Sequence, residues 1–240
     1  MEKRKAELQQ LVKDLLGEAK RQGASAAEAA VSSDAGLSLT VRLGETETIE
    51  HTRDNGLGVT VYFGQRKGSA STSDLSPQAI KETVEAACNF ARYTSEDPCS
   101  GLADADLMAT NLPDLQLYHP WKQSVEQAID LAIRCETAAR ELDPRIINSE
   151  GATLNSHNGL QVYGNTHGFM GGYPSSRHSL SCAVVGKQDD SMQRDYWYTL
   201  SRQGDQLESP EHVGEVAAQR TLARLKARQI PTQQAPVVFQ

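Results

Sequence analysis

The sequence predicts an α+β fold built from two units of antiparallel sheet, each flanked by helices at its start and end. Three observations carry that expectation. Apolar residues recur with helical spacing in separate blocks near the start, the middle and the end of the chain. Between those blocks the apolar period falls to two, the spacing of a strand with one buried face. The connections between the strands are only a few residues long, whereas a parallel crossover needs about a dozen or more.

The first helix spans about Glu2 to Gln22, with Leu8, Leu11, Val12, Leu15, Leu16 and Ala19 on one stripe and Gly23 as its stop. From Glu28 to Ser73 the period is two. Leu37, Leu39, Val41 and Leu43 alternate with polar neighbours, and so do Leu57, Val59, Val61 and Phe63. Gly44, Asn55-Gly56 and Gly64 to Gly68 mark the expected turns, which divides this stretch into about five strands. Ser76-Pro77 opens the next helix, because serine accepts a free N–H of the first turn and proline at N1 has none to leave unpaired. Ile80, Val84, Ala87, Cys88 and Ala91 form its apolar face.

Residues 94–123 carry Pro98, Pro113 and Pro120 and no period, the composition of a linker with one helical turn near Ala105 to Met108. The pattern then repeats. Ser124 to Gln127 reads as a capping box ahead of a helix carrying Ala128, Ile129, Leu131, Ala132, Cys135 and Leu142. Arg145 to Ser201 reads as a second meander, with Leu180, Cys182 and Val184 alternating and an aromatic run at Tyr196-Trp197-Tyr198. Ser209-Pro210 opens the closing helix. The two closing helices share Ser-Pro-x-x-(Ile/Val)-x-Glu, at Ser76–Glu82 and Ser209–Glu215. Internal duplication and a common way of starting a helix both account for the match. The expected organisation is an N-terminal α+β domain over 1–95, a linker over 96–123 and a second α+β domain over 124–230. Residues 231–240, ending in the β-type run Pro236-Val237-Val238-Phe239, read as the start of a third element.

Composition narrows the function classes. Apolar residues at 38% and aromatics at 5% suit thin layers with much exposed or interfacial surface rather than one thick core. A net charge of −7 has the wrong sign for a nucleic-acid footprint, and Arg66-Lys67 is only a pair. The N-terminus lacks the apolar stretch of a signal peptide, and no apolar run is long enough for a membrane span. Cys88, Cys99, Cys135 and Cys182 are scattered without CxxC pairing, as in reduced thiols. A cytoplasmic location is expected.

No G-x-S-x-G, Walker A or His-Glu-x-x-His motif occurs, so no catalytic residue and no metal ligand is assigned. His157, His167 and His178 recur every ten or eleven residues, a spacing that hairpins would bring to one end of a sheet. Three imidazoles suit zinc with an open position. No carboxylate lies nearby in sequence to orient them, which favours histidines that simply tolerate polar turns. Asn165, His167, Ser176, Arg177 and His178 are richer in hydrogen-bonding groups than turns require, and they are the candidate contacts for a substrate or partner. Arg177 offers five fixed donors to a carboxylate or to carbonyls. The meander between Asn155 and Tyr198 is expected to offer strand edges for main-chain pairing with a peptide.

Several stretches resemble the PmbA/TldD family, most closely its PmbA (TldE) branch. In the first half these are Glu45 to Glu50, Gly56 to Tyr62, Arg66 to Ser71, Asp74 to Ile80 and Ala91 to Cys99. In the second they are Val162 to Gly168, Arg177 to Ser181 and Gln193 to Tyr196. The resemblance covers almost the whole chain. It implies a cytoplasmic subunit that pairs with a TldD-like subunit in a zinc metalloprotease acting on unfolded proteins and peptides, such as microcin precursors or an antitoxin. Zinc is then expected on a His-Glu-x-x-x-His helix of the partner and no cofactor in this chain, whose portion alone would be inactive. A C-terminal β-rich domain would follow. The resemblance also carries an alternative, a regulatory module of the DNA gyrase modulator type without proteolysis. A homodimer is the assembly expected of the isolated chain.

Overall fold

The computed structural model describes residues 1–239; Gln240, the last residue of the run read as a third element, lies outside the described residues. The chain runs α1 (Glu2–Arg21), β1 (Ala26–Arg42), β2 (Glu45–Phe63), β3 (Arg66–Thr72) and α2 (Pro77–Tyr93), then α3 (Val125–Glu141), β4 (Ile146–Asn165), β5 (Met170–Gln188), β6 (Ser191–Ser201) and α4 (Pro210–Ala223). Between α2 and α3 the only regular element among the described residues is a 3₁₀ turn at Ala105–Leu107. Pro231 to Phe239 carry neither helix nor strand.

The α+β class holds, with every strand pair antiparallel, but the strands of both halves join in one sheet of order β3-β2-β1-β4-β5-β6. The seam is the β1–β4 pair, where Glu28 to Val41 face Asn165 to Ala152. Each half is helix, three strands, helix, arranged about that seam in mirrored order, the arrangement a duplication would leave. The first half has three long strands, not five. Asn55-Gly56 is no turn; it sits inside β2 opposite Ser33 and Ser32, and Arg4 donates to the Asn55 side chain over 3.1 Å. A continuous partner strand on β1 satisfies the backbone there, so the local turn preference is overridden.

All four helices lie on one face of the sheet, where the odd-numbered residues of β1 serve both cores. Ala27, Ala29 and Val31 pack with Leu8, Val12 and Leu15 of α1 and Val84 and Ala87 of α2. Leu39 and Val41 pack with Ala132 and Cys135 of α3 and Val213 and Ala217 of α4. Burying one of these Leu or Val side chains stabilises by roughly 1.5–3 kcal/mol. Caps fix the helix starts as their residues dictate. Ser76 accepts from Ala79 N–H, Ser209 accepts from His212 N–H, and Ser124 with Gln127 forms the reciprocal box. Among the described residues no helix lies over the opposite face, which the even residues of β1 line.

Glu136 is one of the side chains that tie the halves together beyond the sheet ladder. Glu136 of α3, 1% exposed, accepts from the backbone N–H groups of Leu43 and Gly44, each at 2.8 Å. These two residues form the β1–β2 turn with φ of 55° and 83°, a left-handed pair in which glycine removes half the strain. The edges expected between Asn155 and Tyr198 are present only in part. β4 is interior; β6 and the Met170 to Arg177 stretch of β5 that β6 does not reach form one edge, and β3 with the Glu45 to Gly56 stretch of β2 that β3 does not reach forms the other.

Candidate functional site

The linker does not float. Its Met108 accepts from Asn165 Nδ2 over 3.2 Å at the end of β4, and further on it docks on β5 just past the end of β6, whose pairing starts at His178↔Ser201. There the main-chain N–H of Ser176 donates to Leu117 O at 2.9 Å, so the linker takes the position of a further edge residue. The Ser176 hydroxyl accepts from His119 N–H at 2.8 Å and donates to Arg202 O at 2.8 Å. One strand turn on, His178 is fully buried, with Nε2 3.0 Å from His119 O and Nδ1 2.9 Å from Ser156 Oγ. A carbonyl only accepts, so a ring with one hydrogen carries it on Nε2 and takes the Ser156 hydroxyl hydrogen on Nδ1. Trp121 packs edge-on against this ring, with centroids 5.4 Å apart. Gly204 is required beside it, because a Cβ there would run into the indole.

The five candidate residues fall in three places. Ser176 and His178 share the helical face and hold the linker. Arg177, between them, points to the open face, where it is exposed and lies in register with His157. Asn165 and His167 sit at the far end of β4, in its turn to β5. Asn165 is 4% exposed, and its Oδ1 accepts from the N–H groups of His167 and Phe169 at 3.1 and 3.3 Å. His167 itself is exposed. Hence the structure brings Ser176 and His178 together, and it separates both from Arg177 and from the Asn165 turn.

A second polar cluster, around Glu28, lay outside the sequence reading. Glu28 of β1 accepts from Tyr62 Oη at 3.0 Å and from Tyr163 Oη at 2.8 Å, and Asn165 Nδ2 lies 3.3 Å from Tyr163 Oη. The network crosses β2, β1 and β4 on the open face beside a hollow of about 380 Å³ floored by small residues such as Ala30 and Gly58. Burial, and then donation to Glu28, push the Tyr62 phenol up to about 12, and burial raises Tyr163 as well. The signal in the sequence was a lone carboxylate in Ala26-Ala27-Glu28-Ala29-Ala30, a place where an unpaired acid is costly.

The three histidines spaced through the second meander do not come together. His157 and His178 point to opposite faces and His167 lies in a distant turn. Among the described residues no three His, Cys, Asp or Glu side chains converge on one point.

Comparison with known proteins places these features in a class. Residues 27–91 match PmbA/TldA metallopeptidase domain 1 and residues 118–225 match the PmbA/TldA metallopeptidase central domain. The chain belongs to the PmbA/TldD family. It is 52% identical over 233 residues to the metalloprotease PmbA homolog of Haemophilus influenzae, and 52% identical over 213 residues to metalloprotease PmbA of Escherichia coli O157:H7. These alignments cover 97% and 89% of the chain but 51% and 47% of the relatives, so the chain spans about half their length. Among solved structures, a Bacteroides thetaiotaomicron protein described as a proposed modulator of DNA gyrase superposes with a TM-score of 0.84 at 22% identity, over 92% of this chain and 51% of that one. TldE of Thermococcus kodakarensis gives 0.66 at 17% identity, over 88% and 47%. At those identities the likeness is one of fold.

Proposed function

We propose that this chain is the front portion of the subunit that does not hold the metal in a two-subunit PmbA/TldD-type metalloprotease. It shapes the path of an unfolded polypeptide or peptide, of the microcin-precursor or antitoxin type, while a TldD-like partner carries zinc. The observation that carries the reading is the 52% identity to a metalloprotease PmbA homolog across nearly the entire chain. The broad open face and the unpaired β2 and β6 edges support it. Unfolded substrates share only their main chain, and a strand edge recognises N–H and C=O groups whatever the side chains. A cytoplasmic location goes with this role; no helix of the described residues is long and apolar enough to cross a membrane.

The rival is an interaction module of the gyrase-modulator type, favoured by the description of the Bacteroides neighbour. Metal content and peptide cleavage of the purified chain test the first part of the proposal. The expected result is no stoichiometric zinc and no cleavage of an unfolded reporter peptide. Cleavage that chelation removes and zinc restores would overturn it.

A further inference from the structure

The two edges of the sheet are built differently. On the β2 side, the stretch that β3 does not reach carries Glu45, Glu47, Glu50 and Asp54, charged side chains of the kind that keep a strand edge from pairing with another chain. β6 carries no such guard. It is an uninterrupted strand of 11 residues, Ser191–Ser201, without proline or lysine and in unbroken register with β5. Met192, Tyr196, Tyr198 and Leu200 form a row on its open face, each about half exposed. The Tyr196 and Tyr198 rings stack with centroids 6.4 Å apart. Aromatic, Met and Leu side chains in one exposed row mark a protein interface rather than a solvated edge.

The main chain of β6 is available as well. Gln188 and Ser191 close a two-residue hairpin as a hydrogen-bonded pair, so every second residue from Ser191 bonds to β5. The N–H and C=O groups of Met192, Arg194, Tyr198 and Leu200 therefore face away from the sheet. Tyr196 faces away too, but its N–H is held by Asp195 Oδ1 at 2.8 Å. Charges along the strand cancel. Arg194 pairs with Glu150 over 2.6 Å, Arg220 and Arg224 share Asp195, and Glu208 accepts from the Trp197 indole.

This balance selects the occupant. Two copies of a chain with a net charge of −7 repel, most strongly where acidic stretches such as Glu45 to Asp54 would meet. Two β6 strands meeting antiparallel lay the apolar row on its own copy and bring no uncancelled charge to the contact. We propose that β6 pairs with β6 of a second copy of this chain across a two-fold axis, joining the two sheets into one. The pairing leaves β2 as the edge open to a polypeptide. It rests on β6 alone, so it stands or falls apart from the protease reading.

Sedimentation of the full-length protein by itself, over a range of concentrations, tests it. The parent is expected to sediment as a dimer at micromolar concentration. Tyr198→Lys and Tyr198→Glu, at an exposed position, should each weaken self-association about tenfold or more with an unchanged circular dichroism spectrum, because a two-fold contact sets like charges together in an apolar row. An equimolar mixture of the two variants should dimerise again, since opposite charges then meet. Thr48→Lys, on the β2 edge, should leave the dimer intact. A monomeric parent, a dimer that Tyr198→Lys does not weaken, or a mixture as monomeric as its components would overturn the assignment. In the second case, loss of binding to a TldD-like subunit or to an unfolded peptide would give the edge to that partner instead.

Discussion

The buried imidazole of His178 donates from Nε2 to the main-chain oxygen of His119, 3.0 Å away, and this bond fastens the linker to β5 where β6 ends. His178→Ala removes that bond and the one to Ser156, and it leaves a hole beside Trp121. The expected cost is about 2–4 kcal/mol, a fall in melting temperature of roughly 5–10 °C. Limited proteolysis should then cut within residues 100–120 faster than in the parent. An unchanged melt and an unchanged cleavage pattern would show that the linker is held by other means.

Glu136 is the corresponding tie between α3 and the β1–β2 turn. Glu136→Ala leaves the Leu43 and Gly44 N–H groups without their acceptor, at an expected cost of about 2–3 kcal/mol. Glu136→Gln keeps one oxygen and should lose less. Urea denaturation of both variants checks the order, and equal losses would mean that the one oxygen kept by glutamine contributes nothing.

Tyr62 gives the fold an alkaline signature. Its phenol is pushed up to about 12 in the folded chain against about 10 in an unfolded one. A raised folded value means the associated stability is fully present below pH 10 and is lost as pH climbs from 10 toward 12, where the unfolded chain gives up its proton first. Absorbance at 295 nm should show Tyr62 and Tyr163 ionising late, and Tyr62→Phe should remove the Tyr62 part of that step and the corresponding slope of stability with pH. A Tyr62→Phe titration that overlays the parent would refute the shift.

Arg177 separates two roles. It is exposed on the open face, so Arg177→Ala should alter stability by no more than about 0.5 kcal/mol. If the open face meets substrate or partner, the same variant in the full-length protein lowers cleavage or complex formation. A lowered melting temperature with unchanged cleavage would instead make Arg177 a tie within its own sheet.

Much of this fold was legible because local patterns and the final environment agree. Leu8 to Ala19 read as a helix stripe and are one; Ser76, Ser124 and Ser209 cap the helices they precede. The joining of the two units was not legible. Strand periodicity states which face is buried, not which strand is the neighbour, and nothing local in β1 announces that it pairs with both β2 and β4. Asn55-Gly56 misled for the same reason, since its turn chemistry yields to continuous pairing with β1. Among the candidate site residues, period two already separates Arg177 from Ser176 and His178. The linker carbonyls that occupy His178 and Ser176 come from a segment about 59 residues away, beyond any sequence window.

The central claim is that this protein contributes to proteolysis through its partner, and reconstitution tests it most directly. The full-length protein is mixed with a TldD-like subunit, and cleavage of an unfolded peptide is compared with that by the TldD-like subunit alone. The account predicts cleavage at least tenfold faster with both subunits present. Equal rates with and without this protein would contradict it and leave the interaction module as the better reading.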